Sequence, residues 1–186
     1  PGRCQVEAWI TRVPAEAATV FHVGPACRVG PVEIGLNFDH VRVTDEARNG
    51  FGPQLKWVAD PLVGSVSAGV VWGAYFDPKQ DGRPLQTLYT PFTWAATETL
   101  RLNANVGADW GFAGERTRRI GASGEWAAIE TLTLIAERLS LSGAWISRLG
   151  ARFTLSQSVS LDLSAARTSP GASRVYVIGL NHDFAR

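Results

Sequence analysis

The stretch Leu100–Trp110, LRLNANVGADW, alternates without a fault between Leu100, Leu102, Ala104, Val106, Ala108, Trp110 and Arg101, Asn103, Asn105, Gly107, Asp109. A period of two marks a β-strand with one apolar and one strongly polar face. Its length suits a tilted strand crossing a bilayer, which needs roughly 9–11 residues. Two architectures use such a strand in opposite senses. A soluble barrel turns the apolar face to its core, whereas a membrane barrel turns it to lipid and keeps the polar face for its lumen.

The same pattern repeats along the chain. Candidate strands fall at 4–13, 18–29, 31–43, 51–59, 64–76, 85–95, 100–110, 118–127, 132–139, 144–154, 158–167 and 174–184. Strand 85–95 is the exception: Leu88 and Phe92 share a face with Thr90 and Trp94, and Pro91 interrupts it, so no clean face emerges. The expected turns come in two sets. Gly30-Pro31, 60–63, 97–99, 129–131 and Ser156-Gln157 are tight, while Pro14–Ala17, Thr44–Gly50, Asp77–Pro84, Gly111–Thr117, Ser140–Gly143 and Thr168–Ser173 are mostly longer and more polar. Short turns alternating with longer loops, around an even number of strands, describe an all-β, up-and-down antiparallel barrel of about 12 strands. Residues 1–186 form one domain, with short periplasmic turns, longer outer loops and both termini at the short-turn side.

Aromatic placement favours lipid outside. Trp57, Trp94, Trp126, Phe153 and Phe184 fall toward the short-turn end; Trp72, Phe76, Trp110, Phe112, Trp145 and Tyr176 fall toward the other. Two such belts with smaller aliphatics between them are what membrane interfaces select. The tryptophans Trp57, Trp72, Trp94, Trp110, Trp126 and Trp145 are therefore the expected girdle. A net charge of +1, with no basic stripe interleaved with aromatics, argues against nucleic acid as a partner. The longest uncharged run, 61–76, is too short for a transmembrane helix of about 20 residues. The chain has no Met and starts at Pro1, as a mature chain does after loss of an N-terminal signal, and as a shortened chain does too.

Cys4 and Cys27 are symmetric about the Ala15–Glu16 turn centre, hence directly opposed on neighbouring strands, and a disulfide between them is expected. It would imply an oxidising compartment. With the apolar face outward, the lumen carries Glu7, Glu33, Asp39, Asp109, Glu125, Glu137, Asp162 and Asp183 against Arg28, Lys56, Arg101, Arg148 and Arg152. Such charges either pair with one another or line a wet pore. The expected selectivity lining is Arg101, Arg148, Arg152, Lys56, Glu125, Asp162, Glu7 and Glu33, with acids in excess favouring cations. No catalytic residue, metal site or cofactor is expected. His22 is the one inward histidine, near Glu7 or Glu33, and no serine stands in a nucleophile motif.

Several phrases, taken in order, resemble one family. GPQLKW at 52–57, LYTPFTW at 88–94, LRLNANVG at 100–107, LTLIAER at 132–138, LGARF and VSLDLS within 149–164, and IGLNHDF at 178–184 are similar to the small Gram-negative outer-membrane barrels named for the MetA pathway of phenol degradation. The last phrase looks like the terminal strand signal, here with Ala185 and Arg186 following Phe184. The resemblance implies a transporter-like barrel in the bacterial outer membrane, in contact with its lipid, passing small solutes of the aromatic or hydrophobic class. Three alternatives stay open at this point: a closed barrel docking an envelope protein, a barrel enzyme, and a soluble ligand carrier.

Overall fold

The computed structural model describes residues 2–59, 65–80, 82–141 and 143–185. Twelve antiparallel strands follow in chain order: β1 (Arg3–Val13), β2 (Ala18–Val29), β3 (Val32–Val43), β4 (Glu46–Val58), β5 (Val66–Tyr75), β6 (Leu85–Ala95), β7 (Leu100–Trp110), β8 (Arg116–Ile129), β9 (Leu132–Leu141), β10 (Ala144–Thr154), β11 (Val159–Ser169) and β12 (Arg174–Ala185). Each pairs with its sequence neighbours, and β12 pairs with β1 from Arg3↔Ala185 to Arg12↔Tyr176, which closes the barrel. Pro14–Glu16 is a short 3-10 turn between β1 and β2.

Four strands run at least two residues past an expected limit. β4 begins at Glu46 rather than 51, and β3–β4 pairing continues to Val43↔Glu46, so the expected Thr44–Gly50 loop is only a turn at Thr44-Asp45. β8, β9 and β11 are likewise longer than expected. The added residues at 46–50, Arg116-Thr117 and Thr168-Ser169 are mostly polar, because nothing requires an apolar outer face beyond the hydrocarbon zone, and alternation cannot reveal them; Ile129 and Leu141 instead lengthen β8 and β9 with apolar residues. The contrast between short and long connections is correspondingly weaker than expected. Phe76–Pro84 and Gly111–Glu115 are the longer links at the end away from the termini. The expected turn at 60–63 lies outside the described residues.

The sides follow parity, except past the irregularity between Ala127 and Ile129 at the end of β8. Leu102 and Val106 look outward while Asn103, Asn105 and Asp109 look inward. Large apolar side chains cover the outside, among them Phe38, Trp126, Leu134, Ile178 and Val106, the last 51% exposed. The apolar side chains buried among the described residues are mostly alanines, and Val71 is the one large member. A soluble barrel would show the reverse, and so extensive an exposed apolar surface calls for hydrocarbon rather than water. Trp57, Trp94 and Trp126 are exposed near the end that carries the termini, and Phe76, Trp145 and Tyr176 near the other. Phe21, Phe38 and Phe51 add an unforeseen aromatic patch on β2–β4, with Phe51 stacked on Phe76.

β6 now has definite faces. Leu88, Phe92 and Trp94 are outward, while Tyr89, Pro91 and Thr93 border the lumen. Pro91 has no N–H to give, and the β5–β6 ladder lapses between Ala68↔Phe92 and Val71↔Tyr89 while β6–β7 keeps the pair Pro91↔Asn105. Pro25 and Pro53 do the same: β2–β3 lapses between Val23↔Phe38 and Ala26↔Gly35, and β4–β5 lapses above Gln54↔Gly73. Each proline therefore weakens one side of its strand and leaves the other paired.

The two cysteines are directly opposed, as expected, and bridged, with Cα atoms 4.0 Å apart. The bridge lies on the outward face beside the β1–β12 closure, where Cys4 pairs with Phe184.

A charge at an outward position separates the two possible environments. Val106→Arg is expected to lower the stability of the barrel in lipid vesicles by roughly 2–4 kcal/mol, read from urea unfolding. In a water-facing barrel the same substitution at so exposed a site would be close to neutral.

Candidate functional site

Closure of the barrel brings the inward faces of all strands onto one lumen, and its charges pair with near neighbours. Lys56 Nζ lies 3.6 Å from Glu33 Oε1, Arg101 Nη1 3.9 Å from Glu125 Oε2, and Arg148 Nη1 3.2 Å from Glu137 Oε2. Arg119 Nε donates to Asp109 Oδ1 at 2.9 Å, and its guanidinium sits 5.2 Å from the Tyr89 ring centroid. Arg152 grips Asp162 with both Nε and Nη2, each at 2.8 Å, and Asn181 Nδ2 donates to the same carboxylate at 3.1 Å. Each of these pairs joins adjacent strands, and among the described residues none spans the lumen to an opposite wall. Bidentate geometry and the extra donor make Arg152–Asp162 the best held of them.

On β1–β3 the wall is different. The Trp9 and His22 rings stack with centroids 3.6 Å apart and planes 6° from parallel. His22 Nδ1 lies 2.7 Å from Asp39 Oδ1. The buried His22 Nε2 has no hydrogen-bond partner and points over Gly24, where the Glu7 side chain also lies. Glu7 itself has no lysine or arginine within ion-pair reach among the described residues.

Among the described residues, two cavities open within the lumen. One, of about 420 Å³, is lined by Glu33, Lys56, Val71, Tyr89 and Asn105 among others; the second, of about 380 Å³, by Trp9, Glu125, Arg148, Arg152 and Asp162. Glu7 lines both. Glu7, a carboxylate without an ion pair to lysine or arginine, thus stands where the two spaces meet.

Residues 1–183 match the family described as Uncharacterised conserved protein UCP029691. The chain belongs to that family. No curated protein matches it. Among solved structures, the KdgM porin superposes with a TM-score of 0.76 at 9% identity, covering 97% of this chain and 99% of that one. The NanC porin gives 0.75 at 10% identity, with 95% and 98% covered. The COG4313 outer membrane channel from Pseudomonas putida F1 gives 0.67 at 10% identity, with 98% and 96% covered. At such identities the likeness establishes the fold alone, a barrel that the two porins and the outer membrane channel share. The resemblance to the MetA-pathway family gains no support from the family match.

Every expected lining residue, Arg101, Arg148, Arg152, Lys56, Glu125, Asp162, Glu7 and Glu33, lies on an inward register position. All but Glu7 are in the ion pairs above. Arg28 and Asp183 are also inward, toward the termini, opposite Glu33 and Gln5. Sequence reasoning missed Trp9, Tyr89 and Arg119. Trp9 and Arg119 share parity with Glu7 and Glu125, so a parity check to the strand ends would have found them. Arg119 narrows the excess of acids over bases that the sequence suggested. His22 is inward as expected, and its hydrogen-bond partner is Asp39 rather than Glu7 or Glu33.

The Arg152–Asp162 pair is half-exposed to the lumen, so its contribution is modest. A double-mutant cycle with Arg152→Ala and Asp162→Ala, read from urea unfolding in lipid, is expected to give a coupling on the order of 1 kcal/mol.

Proposed function

We propose that this barrel resides in the bacterial outer membrane, termini toward the periplasm, and passes small solutes along its lumen. The observation that carries the reading is the direction of the ion pairs. They run along the wall between neighbouring strands, which satisfies the charges without barring the axis. Glu7, free of a basic partner between the two cavities, is the proposed selectivity gate. Arg101, Arg148, Arg152, Lys56, Glu33, Glu125 and Asp162 form a charged but largely neutralised lining. The KdgM porin has been solved in complex with disordered oligogalacturonate, a polyanion. The lining here, with Lys56, Arg101, Arg119, Arg148 and Arg152 held by carboxylates and Glu7 unmatched, suits neutral or cationic solutes better. Trp9 and Tyr89 give the two cavities aromatic surface, which supports an aromatic class among them.

A closed barrel that docks an envelope protein is the second reading, favoured by the division of the lumen into two modest cavities. Planar-bilayer recordings separate the two. The channel reading expects discrete conductance steps with a cation-leaning reversal potential. Glu7→Gln should move that potential toward anions and Arg152→Ala toward cations. Benzylammonium should reduce the current more than butylammonium, and Trp9→Ala should erase the difference. A barrel that folds, shows heat-modifiable migration and gives no conductance would leave the closed reading standing.

A further inference from the structure

The arginines on the outside of the barrel are arranged unlike those within. Across β7–β12 one outward row follows the register Leu102↔Gly124↔Ala136↔Leu149↔Ala165↔Tyr176. Because Gly124, Ala136 and Ala165 are small, the row forms an apolar trough between Leu102, Leu149 and Tyr176, and the depression reaches about 870 Å³. The next row toward the end away from the termini reads Ala122↔Arg138↔Ser147↔Arg167↔Arg174. All three of its arginines border the trough.

Arg167 and Arg174 face each other directly across β11 and β12, a like-charge pairing that destabilises a sheet unless an anion compensates it. None of the three is within ion-pair distance of a carboxylate among the described residues. Glu16, on the loop end of the neighbouring hairpin, accepts from Ser173 Oγ at 3.3 Å instead. Arg138 lies over the Trp145 ring, 5.1 Å from its centroid, which holds the guanidinium at the interfacial level. Of the lumen arginines, by contrast, Arg101, Arg119, Arg148 and Arg152 each have a carboxylate partner, and Arg28 stands opposite Glu33 in the register. No carboxylate among the described residues compensates the outer row, so an anion from outside the chain is the partner this row calls for.

We infer that this face of β8–β12 is a binding site for a phosphate-bearing lipid. One acyl chain lies over the small residues Gly124 and Ala136 against the side of Leu149, and the phosphate is shared by Arg138, Arg167 and Arg174. Charge complementarity at one end and an apolar trough continuous with it select a molecule that has both parts. The guanidinium fork is suited to phosphate oxygens. The inference rests on the membrane reading above, and its test separates the two.

The measurement is quenching of Trp145 and the other outer tryptophans by brominated lipids in vesicles that hold the folded barrel. Brominated phosphatidic acid is compared with brominated phosphatidylcholine. The native chain is expected to associate preferentially with phosphatidic acid, and each of Arg167→Gln and Arg174→Gln should reduce the preference about fivefold. Arg42→Gln, on the outward face of β3 far from the trough, should leave it unchanged. Excess inorganic phosphate should also leave it in place, since the acyl chain contributes to binding. A preference abolished by inorganic phosphate would make this a site for the free anion and overturn the proposal. Equal quenching by both lipids, or a preference that survives both substitutions, overturns it while leaving the membrane reading intact. No quenching by either lipid overturns both.

Discussion

Hydrogen-bond closure is the constraint on which the remaining structure depends. A backbone group left unpaired in hydrocarbon costs several kcal/mol, so a sheet can face lipid only if its first and last strands find each other. Here β1 and β12 pair along almost their whole length, and the Cys4–Cys27 bridge ties β1 to β2 beside that seam. The in-strand prolines are tolerated because each interrupts the ladder on one side only. Two of the lapses adjoin glycines, Gly52 and Gly69, whose backbones approach Ala74 O and Trp57 O too closely for any side chain to fit.

Once the ring is closed, every side chain is committed to one of two environments, and charge is handled differently in each. Within, most acids and bases pair between neighbouring strands and neutralise one another where they stand, and Glu7 stands apart from these pairs. Gly107 illustrates how tightly this wall is built: it leaves room for Tyr89 on β6, and Arg119 on β8 then reaches over that ring to Asp109. Outside, arginines cluster at one rim, where a bilayer presents anionic headgroups and aromatic rings are favoured. The same residue type stabilises the wall in one place and presents a free positive charge in the other.

How far the sequence could be read depended on the environment of each segment. Where a strand crosses hydrocarbon, as at Leu100–Trp110, its outer face must be apolar, and the alternation marks both its limits and its sides. Above that zone, as at Glu46–Asn49, both faces are wet and the pairing leaves no trace in residue type. β6 was unreadable for a third reason. Tyr89 and Pro91 face the lumen, so an aromatic ring and a proline stand where polar residues would otherwise signal the inner face. Of the lumen lining, individual residues were legible by parity, whereas Asp39 as the partner of His22, and Arg119 as the partner of Asp109, were not.

The sequence by itself determined the strand count, the sides, and the Cys4–Cys27 pairing, since each follows from local period or from the symmetry of a single hairpin. Only the tertiary structure decided what those sides contain. Which charges meet, where Glu7 stands between two cavities, and that Arg138, Arg167 and Arg174 fall in one outer row all depend on the stagger between strands around a closed ring. That stagger is a property of the whole circuit, and no single strand carries it.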